Sequence, residues 1–336
     1  MDAGQLYTEH VLQQLKRKYA AVYSQAMDEI EEKTKDYIAR HEVRVQKQLA
    51  KLKAGKITKE DYEAWMRGQV FQRRQWEAKA ESIADAMTHA DENIMRMING
   101  ARIDVFEKNA NWLSYMIEHG EGYDFGFGLY DEDTITRLLM YEPDLLPPKL
   151  VKYKANKAWY QKQIRNCVTQ GIIQGEGLDE IIKRIMRDAK ESSESNARRN
   201  ARTAMTGAQN AGRVETMRQA ERLGIKVLKH WMATLDMKTR DTHQELDGQE
   251  VEPDDVFTVD GHEIRFPGDP HARPELVQNC RCTLTYSHPK YRSSIPRVDN
   301  IDGEIVGDMT YKQWFNAKWK DKTDTGTTQT KIKGLE

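Results

Sequence analysis

The sequence predicts a mostly α protein that carries one small α+β domain. Three observations predict it: apolar residues at steps of three and four along long polar stretches, a change to β-type patterning after Gly224, and an Asp260-Gly261 pair between two short alternating runs. Hydrophobic residues are 38% and charged residues 31% of the 336, against about 45–50% and about 25% in ordinary globular chains. Much of the chain is therefore expected on wet helical surfaces, and its length allows about two domains.

From Leu6 the positions Leu12, Leu15, Tyr19, Val22 and Tyr23 recur on one face among Lys, Gln and Glu, which predicts an amphipathic helix over 6–52. Ala54-Gly55 ends it. Thr58 with Asp61 three residues on has the form of a capping box, starting a helix that continues towards Asn99-Gly100, with a further helix to about His119. Residues 1–120 thus read as long antiparallel helices in a bundle or stalk.

At 121–130, Gly122, Gly126 and Gly128 alternate with Tyr123, Phe125, Phe127 and Tyr130. This composition cannot sustain a helix and predicts a loop that docks by its aromatic rings, so 121–149 reads as loop and linker. Helical pattern resumes over 133–140, stops at Pro147-Pro148, the expected domain boundary, and restarts over 159–173 and 178–189. Between Ser192 and Leu223 the stripe Ala197, Ala201, Met205, Ala208, Ala211 has helical spacing and small side chains, which predicts close approach of a neighbouring element. Gly224 is placed to end this helix in the left-handed conformation. Arg198, Arg199, Arg202 and Arg213 give the helix local positive charge, either solvated or salt-bridged, or available to phosphate.

After Gly224, residues 225–231 are short and rich in β-formers. Residues 257–266 alternate around Asp260-Gly261, a pair that tolerates the positive φ of a type I′ turn, which predicts a β-hairpin. A third strand is expected at 281–286, giving a small antiparallel sheet on helices over 150–290. Beyond Pro289 periodicity fades, although Tyr311, Trp314, Phe315 and Trp319 could form one short helix; 291–336 reads as a largely flexible tail.

Lys and Arg number 52 and Asp and Glu 53, so the chain exerts no general attraction on nucleic acid or acidic lipid, and any DNA contact has to be local. Met1-Asp2-Ala3-Gly4-Gln5 does not begin a basic stretch followed by an apolar core, and no stretch approaches about 18 uninterrupted apolar residues, so a soluble protein made in the cytoplasm and without a membrane partner is expected. Cys167, Cys280 and Cys282 are too few and too oddly placed for a disulfide framework; reduced thiols are expected.

One constellation has the residue types for chemistry. His243, Cys280 and Cys282, with Asp241 or His271 as a fourth donor, offer the imidazole, thiolate and carboxylate that zinc prefers. The Cys-x-Cys spacing is tighter than that of usual structural zinc pairs, so thiols without metal stand as the alternative, and no cofactor is assigned beyond a possible structural zinc. As a metal-dependent hydrolase or nuclease the same group would need an open metal position and a general base, which Asp241-x-His243 offers in outline, but neither a Gly-rich phosphate loop nor a Gly-x-Ser-x-Gly elbow accompanies it. The reading is therefore not an enzyme. Asp236, Thr239 and Asp241 have a second account as turn and helix-start residues.

Taken in order, Ala201-Arg202-Thr203, Gln209-Asn210-Ala211-Gly212-Arg213, Trp231 with Thr234 and Asp236, Thr239-Arg240-Asp241 with His243, Asp247-Gly248-Gln249, Phe257, Pro267-Gly268-Asp269-Pro270 and Asn279-Cys280-Arg281-Cys282 resemble the phage Mu F-like head morphogenesis domain. The stretch from about Leu145 resembles the region preceding that domain in minor head proteins. Relatives commonly have an acidic residue after the Arg-Thr pair, where this chain has Ala204, which favours a structural reading. The resemblance implies a virion component made in the host cytoplasm and assembled inside the head near the portal vertex. Its implied partners are the portal protein, the major capsid or scaffolding protein and packaged double-stranded DNA. Such domains also occur fused to toxin domains, and nothing in this sequence resembles one.

Overall fold

The computed structural model describes residues 1–69, 73–121, 130–174, 176–288 and 296–320. Helices α1 (Ala3–Lys53), α2 (Lys59–Gln69), α3 (Arg73–Glu121), α4 (Glu132–Tyr141), α5 (Tyr153–Gln174) and α6 (Leu178–Arg222) come first. They are followed by β1 (Leu228–Met232), α7 (Asp241–Leu246), β2 (Glu250–Val251), β3 (Phe257–Val259), β4 (His262–Ile264), α8 (Pro274–Val277), β5 (Thr283–Ser287), β6 (Arg297–Val298), β7 (Ile305–Val306) and α9 (Tyr311–Phe315). The protein is mostly α with small antiparallel sheets, as the patterning predicts. The aromatic stretch at 122–129 and the Thr-rich end at 321–336 lie outside the described residues.

Two compact units are formed, one from Met1–Gln13, Asn99–Pro148 and Arg199–Glu336, the other from Gln14–Ile98 and Lys149–Arg198. Because α1, α3 and α6 each contribute to both, the units cut the chain differently from contiguous blocks at 120 and 150.

In the unit of Gln14–Ile98 and Lys149–Arg198, the buried side chains Leu15, Tyr19, Tyr23 and Ile30 of α1 and Ile83, Met87 and Ile94 of α3 recur at steps of four and seven, one face of each helix. Thr58 and Asp61 cap α2 reciprocally, each backbone amide donating to the other's side-chain oxygen at 3.1 Å. The core holds one polar knot. Asp91 accepts from Tyr23 Oη (2.7 Å), Asn156 Nδ2 (2.7 Å) and Tyr160 Oη (2.8 Å), and Tyr23 also donates to the Ser193 carbonyl. Burial raises the Asp91 pKa in spite of these donors. Ser193 is buried in this knot, 2.6 Å from Tyr160 Oη, which is why α6 runs unbroken through Ser192-Ser193 where the sequence suggested two helices. Likewise α3 passes through Asn99-Gly100 without a stop.

The other unit builds on the second half of α6. Its small stripe does admit a close neighbour: Ala208 and Ala211 are fully buried, and a Cβ on Gly212 would stand 2.6 Å from the Phe106 carbonyl oxygen of α3. The helix ends in a Schellman motif, with Gly224 at φ +85°, its amide donating to Glu221 O and that of Ile225 to Ala220 O. The chain then enters β1, the centre of a three-stranded antiparallel sheet in the order β2-β1-β5. Trp231 of β1 faces Leu284 of β5 in register.

The β3–β4 hairpin forms with Asp260 at φ +50° and Gly261 at φ +72°, both positive as a type I′ turn requires. It is a separate two-stranded sheet and not a continuation of β1 and β5. The expectation of a loose tail beyond Pro289 does not hold for 296–320. There β6 pairs with β7, and Tyr311 and Trp314 of α9 form a buried cluster with Leu235. Arg297 adds a further tie: it is buried, and its guanidinium needs the internal partners described below.

Candidate functional site

The motif residues do most of their work inside the fold. Asn210, fully buried on α6, donates Nδ2 to Thr206 O, Pro267 O (3.1 Å) and Cys282 O (3.3 Å), while its Oδ1 accepts the Leu284 amide at 2.8 Å. One amide side chain thus fixes the Pro267-Gly268 turn and the start of β5 to the helix. The turn comes so close that a Cβ on Gly207 would stand 2.8 Å from the Gly268 carbonyl oxygen, and Gly268 itself sits at φ +83°. Only glycine fits both demands at Gly268.

Asp236 accepts from Arg281 Nη1 and Nη2, the Lys238 amide and Thr239 Oγ1. Burial opposes its charge, but the Arg281 guanidinium more than offsets this and holds its pKa below the usual carboxylate range. Asp269 is bound by Arg265 Nε and Nη2 and by the amides of Arg265 and His271, and is held low in the same way against its burial. Asp247 accepts from the Ala233 and Tyr311 amides and from Arg297. Gly248, at φ +85°, and Gln249 close the turn that returns the chain to β1: the Gly248 amide donates to Trp231 O, and the Trp231 amide to Gln249 O. Asn279, at φ +56°, donates its amide to Thr203 Oγ1, and Pro270 is exposed at the end of its turn.

Of the candidate metal ligands, three come together. His243 Nδ1 is 3.3 Å from Cys282 Sγ and 3.7 Å from Cys280 Sγ, and all three residues are buried. His243 Nε2 donates to the Leu276 carbonyl at 2.7 Å; since a carbonyl can only accept, Nδ1 is the nitrogen whose lone pair faces the sulfurs. The ring packs edge-on against Trp231, with centroids 5.8 Å apart. The side chain and amide of Cys282 hydrogen-bond to Cys280 Sγ and hold the Cys280 thiol below its ordinary pKa, while burial pushes Cys282 well up. Asp241 is exposed at the first turn of α7, bonded to Gln244, and His271 is exposed beside Asp144. Neither belongs to the group of possible ligands formed among the described residues.

The arginines divide differently from the expectation. Arg213 is fully buried, donating to Asp2, to Asn109 Oδ1 and to the Leu284 carbonyl (2.7 Å), and it stacks 4.6 Å from the Trp112 ring centroid. This corrects its reading as a DNA contact, because no phosphate can reach it. Arg202 pairs with Glu9, and Arg198 pairs with Glu194 on its own helix. Sequence reasoning missed Asp2, Asn109 and Arg297, since each meets its partner only across a long stretch of chain.

Fold and motif define the class: a long-helix protein with a small α+β domain whose ordered motif residues are its internal ties. Residues 162–285 match the family described as Phage Mu protein F like protein. This match identifies residues 162–285 as a phage Mu F-like region of the chain. The chain is 28% identical over 229 residues to the Minor head protein GP7 of Bacillus phage SPP1, covering 67% of this chain and 73% of that protein. It is also 31% identical over 224 residues to the NAD(+)--arginine ADP-ribosyltransferase EFV of Enterococcus faecalis, covering 66% of this chain but only 45% of that protein. No solved structure matches.

Proposed function

We propose that this chain is a structural minor head protein that acts in prohead assembly at or near the portal vertex, inside the head. The observation that carries the reading is the similarity to a phage minor head protein along 73% of that protein's length. The ties described above support it, because they turn the motif residues to folding instead of to an open reaction centre. Similarity to the ADP-ribosyltransferase stops at 45% of that protein, so its named activity is not carried over. A hydrolase using His243 and Asp241 is disfavoured by the exposed position of Asp241 outside the His243 group. Among the described residues, no helix is long and apolar enough to cross a membrane.

Portal protein, the major capsid or scaffolding protein and packaged DNA are the partners this reading assigns, with Arg198, Arg199 and Arg202 as the DNA-facing candidates. Removing residues 1–120 is a poor test, since Asp2 and Asn109 satisfy the buried Arg213 and the cut would unfold what remains. Co-expression of the full chain with the portal protein of the same genome is better. Co-elution of the two is expected, and separate elution at all salt concentrations contradicts the portal assignment.

A further inference from the structure

We propose that His243 Nδ1, Cys280 Sγ and Cys282 Sγ form a structural binding site for one soft divalent cation, Zn²⁺ by its donor set, that fastens α7 to the start of β5. The site is independent of the head-assembly reading and stands or falls separately from it.

The donor geometry is the first argument. With Zn–N near 2.0–2.1 Å and Zn–S near 2.3 Å, a tetrahedral ion sets its nitrogen and sulfur ligands roughly 3.5 Å apart. The two N···S separations here, 3.3 and 3.7 Å, bracket that value, and the possible ligand atoms of the three residues all lie within 4.8 Å of one another.

The surroundings are the second. A metal-bound histidine ordinarily donates its other ring nitrogen to a carbonyl or carboxylate, which fixes tautomer and ring orientation. Leu276 O takes that part for His243, and Trp231 supports the ring. The Cys282 amide donates to Cys280 Sγ at 3.3 Å, the kind of N–H···S contact that stabilises a ligating sulfur. The loop is held independently of any ion: Thr203 Oγ1 accepts the Asn279 amide, and Thr206 Oγ1 donates to Cys280 O at 2.7 Å. The three donors are therefore pre-positioned.

A catalytic ion fits poorly, since all three ligands are buried and no carboxylate base stands with them among the described residues. The fourth coordination position falls to a water or small anion. The ion would join residues that lie 37 and 39 positions apart, and its binding energy would add to the stability of the α+β domain.

The test uses the full chain, purified under reductant and loaded with Zn²⁺ or Co²⁺. One Zn²⁺ per chain by elemental analysis and a thiolate-to-Co²⁺ charge-transfer absorption band are expected. Cys280→Ser and Cys282→Ser should lose the band and bind the metal at least about 100-fold more weakly, as losing a ligand costs no less than losing its outer-shell support. Cys167→Ser should keep both. Chelation should lower the melting temperature of the wild type and leave Cys282→Ser unchanged. A folded, reduced wild-type chain that binds substoichiometric Zn²⁺ and shows no Co²⁺ band overturns the proposal, and this result needs no variant to fold. A Cys280–Cys282 disulfide in protein prepared without oxygen overturns it too.

Discussion

Asp247 and Arg297, fifty residues apart, form a buried pair in which Nη1 lies 2.8 Å from Oδ2 and Nη2 lies 3.0 Å from Oδ1. Arg297 also donates to the Met309 and Ala233 carbonyls, while Asp247 takes the Tyr311 amide. The segment that follows the sheet is thereby fixed to the turn that precedes β2.

Arg297→Met leaves Asp247 buried with a charge and without its cation. A loss of about 3–5 kcal/mol is expected, because an uncompensated buried charge costs more than the pair contributed. Urea unfolding measures it, and an unchanged midpoint would show that Asp247 finds water in the variant.

Asn210→Ala strands the Leu284 amide and frees the carbonyls of Pro267 and Cys282. The stranded amide alone should cost about 1–3 kcal/mol. Hydrogen exchange at Leu284 should rise with the loss of stability; exchange that stays as slow as in the wild type contradicts the role given to Asn210.

Arg213→Met separates fold from DNA contact. Its charge-assisted hydrogen bonds predict a loss of about 1.5–3 kcal/mol each in stability, with DNA affinity and its salt slope unaltered. A shallower salt slope in the folded variant would return Arg213 to the DNA-facing set.

Lys229 provides a pH test. It is buried on β1, donating to Asp255 O and Arg265 O, and burial pushes its pKa down from 10.5 to about 8. Below about pH 8 both folded and unfolded chains carry the charge, and its burial cost is fully present. Between about 8 and 10.5 only the unfolded chain holds the proton, so stability should rise with pH across that window. Relative to Lys229→Met, the wild type should gain stability from neutrality to pH 10.5. A constant difference between the two proteins would mean that Lys229 keeps its ordinary pKa.

Local signals were the legible part of this fold. The Thr58–Asp61 cap, the Gly224 helix end and the Asp260-Gly261 turn each depend on residues within a few positions, and their sequence readings match their geometry. Helix continuity through Gly100 and Ser192-Ser193 was not legible, because tertiary packing overrides weak local breakers; Ser193 is held by tyrosines from α1 and α5. The burial of Arg213 and Arg297 was hidden for a related reason: a charged residue reads as surface until its distant counter-charge is known. At the candidate site, the meeting of His243 with both cysteines could be guessed from residue type, whereas the exclusion of Asp241 and His271 needed three dimensions.

The measurement closest to the central claim is cross-linking mass spectrometry on proheads assembled from the phage genome that encodes this chain. Cross-links between lysines of this chain and the portal protein are expected in purified proheads. A chain absent from purified proheads and virions would contradict that claim.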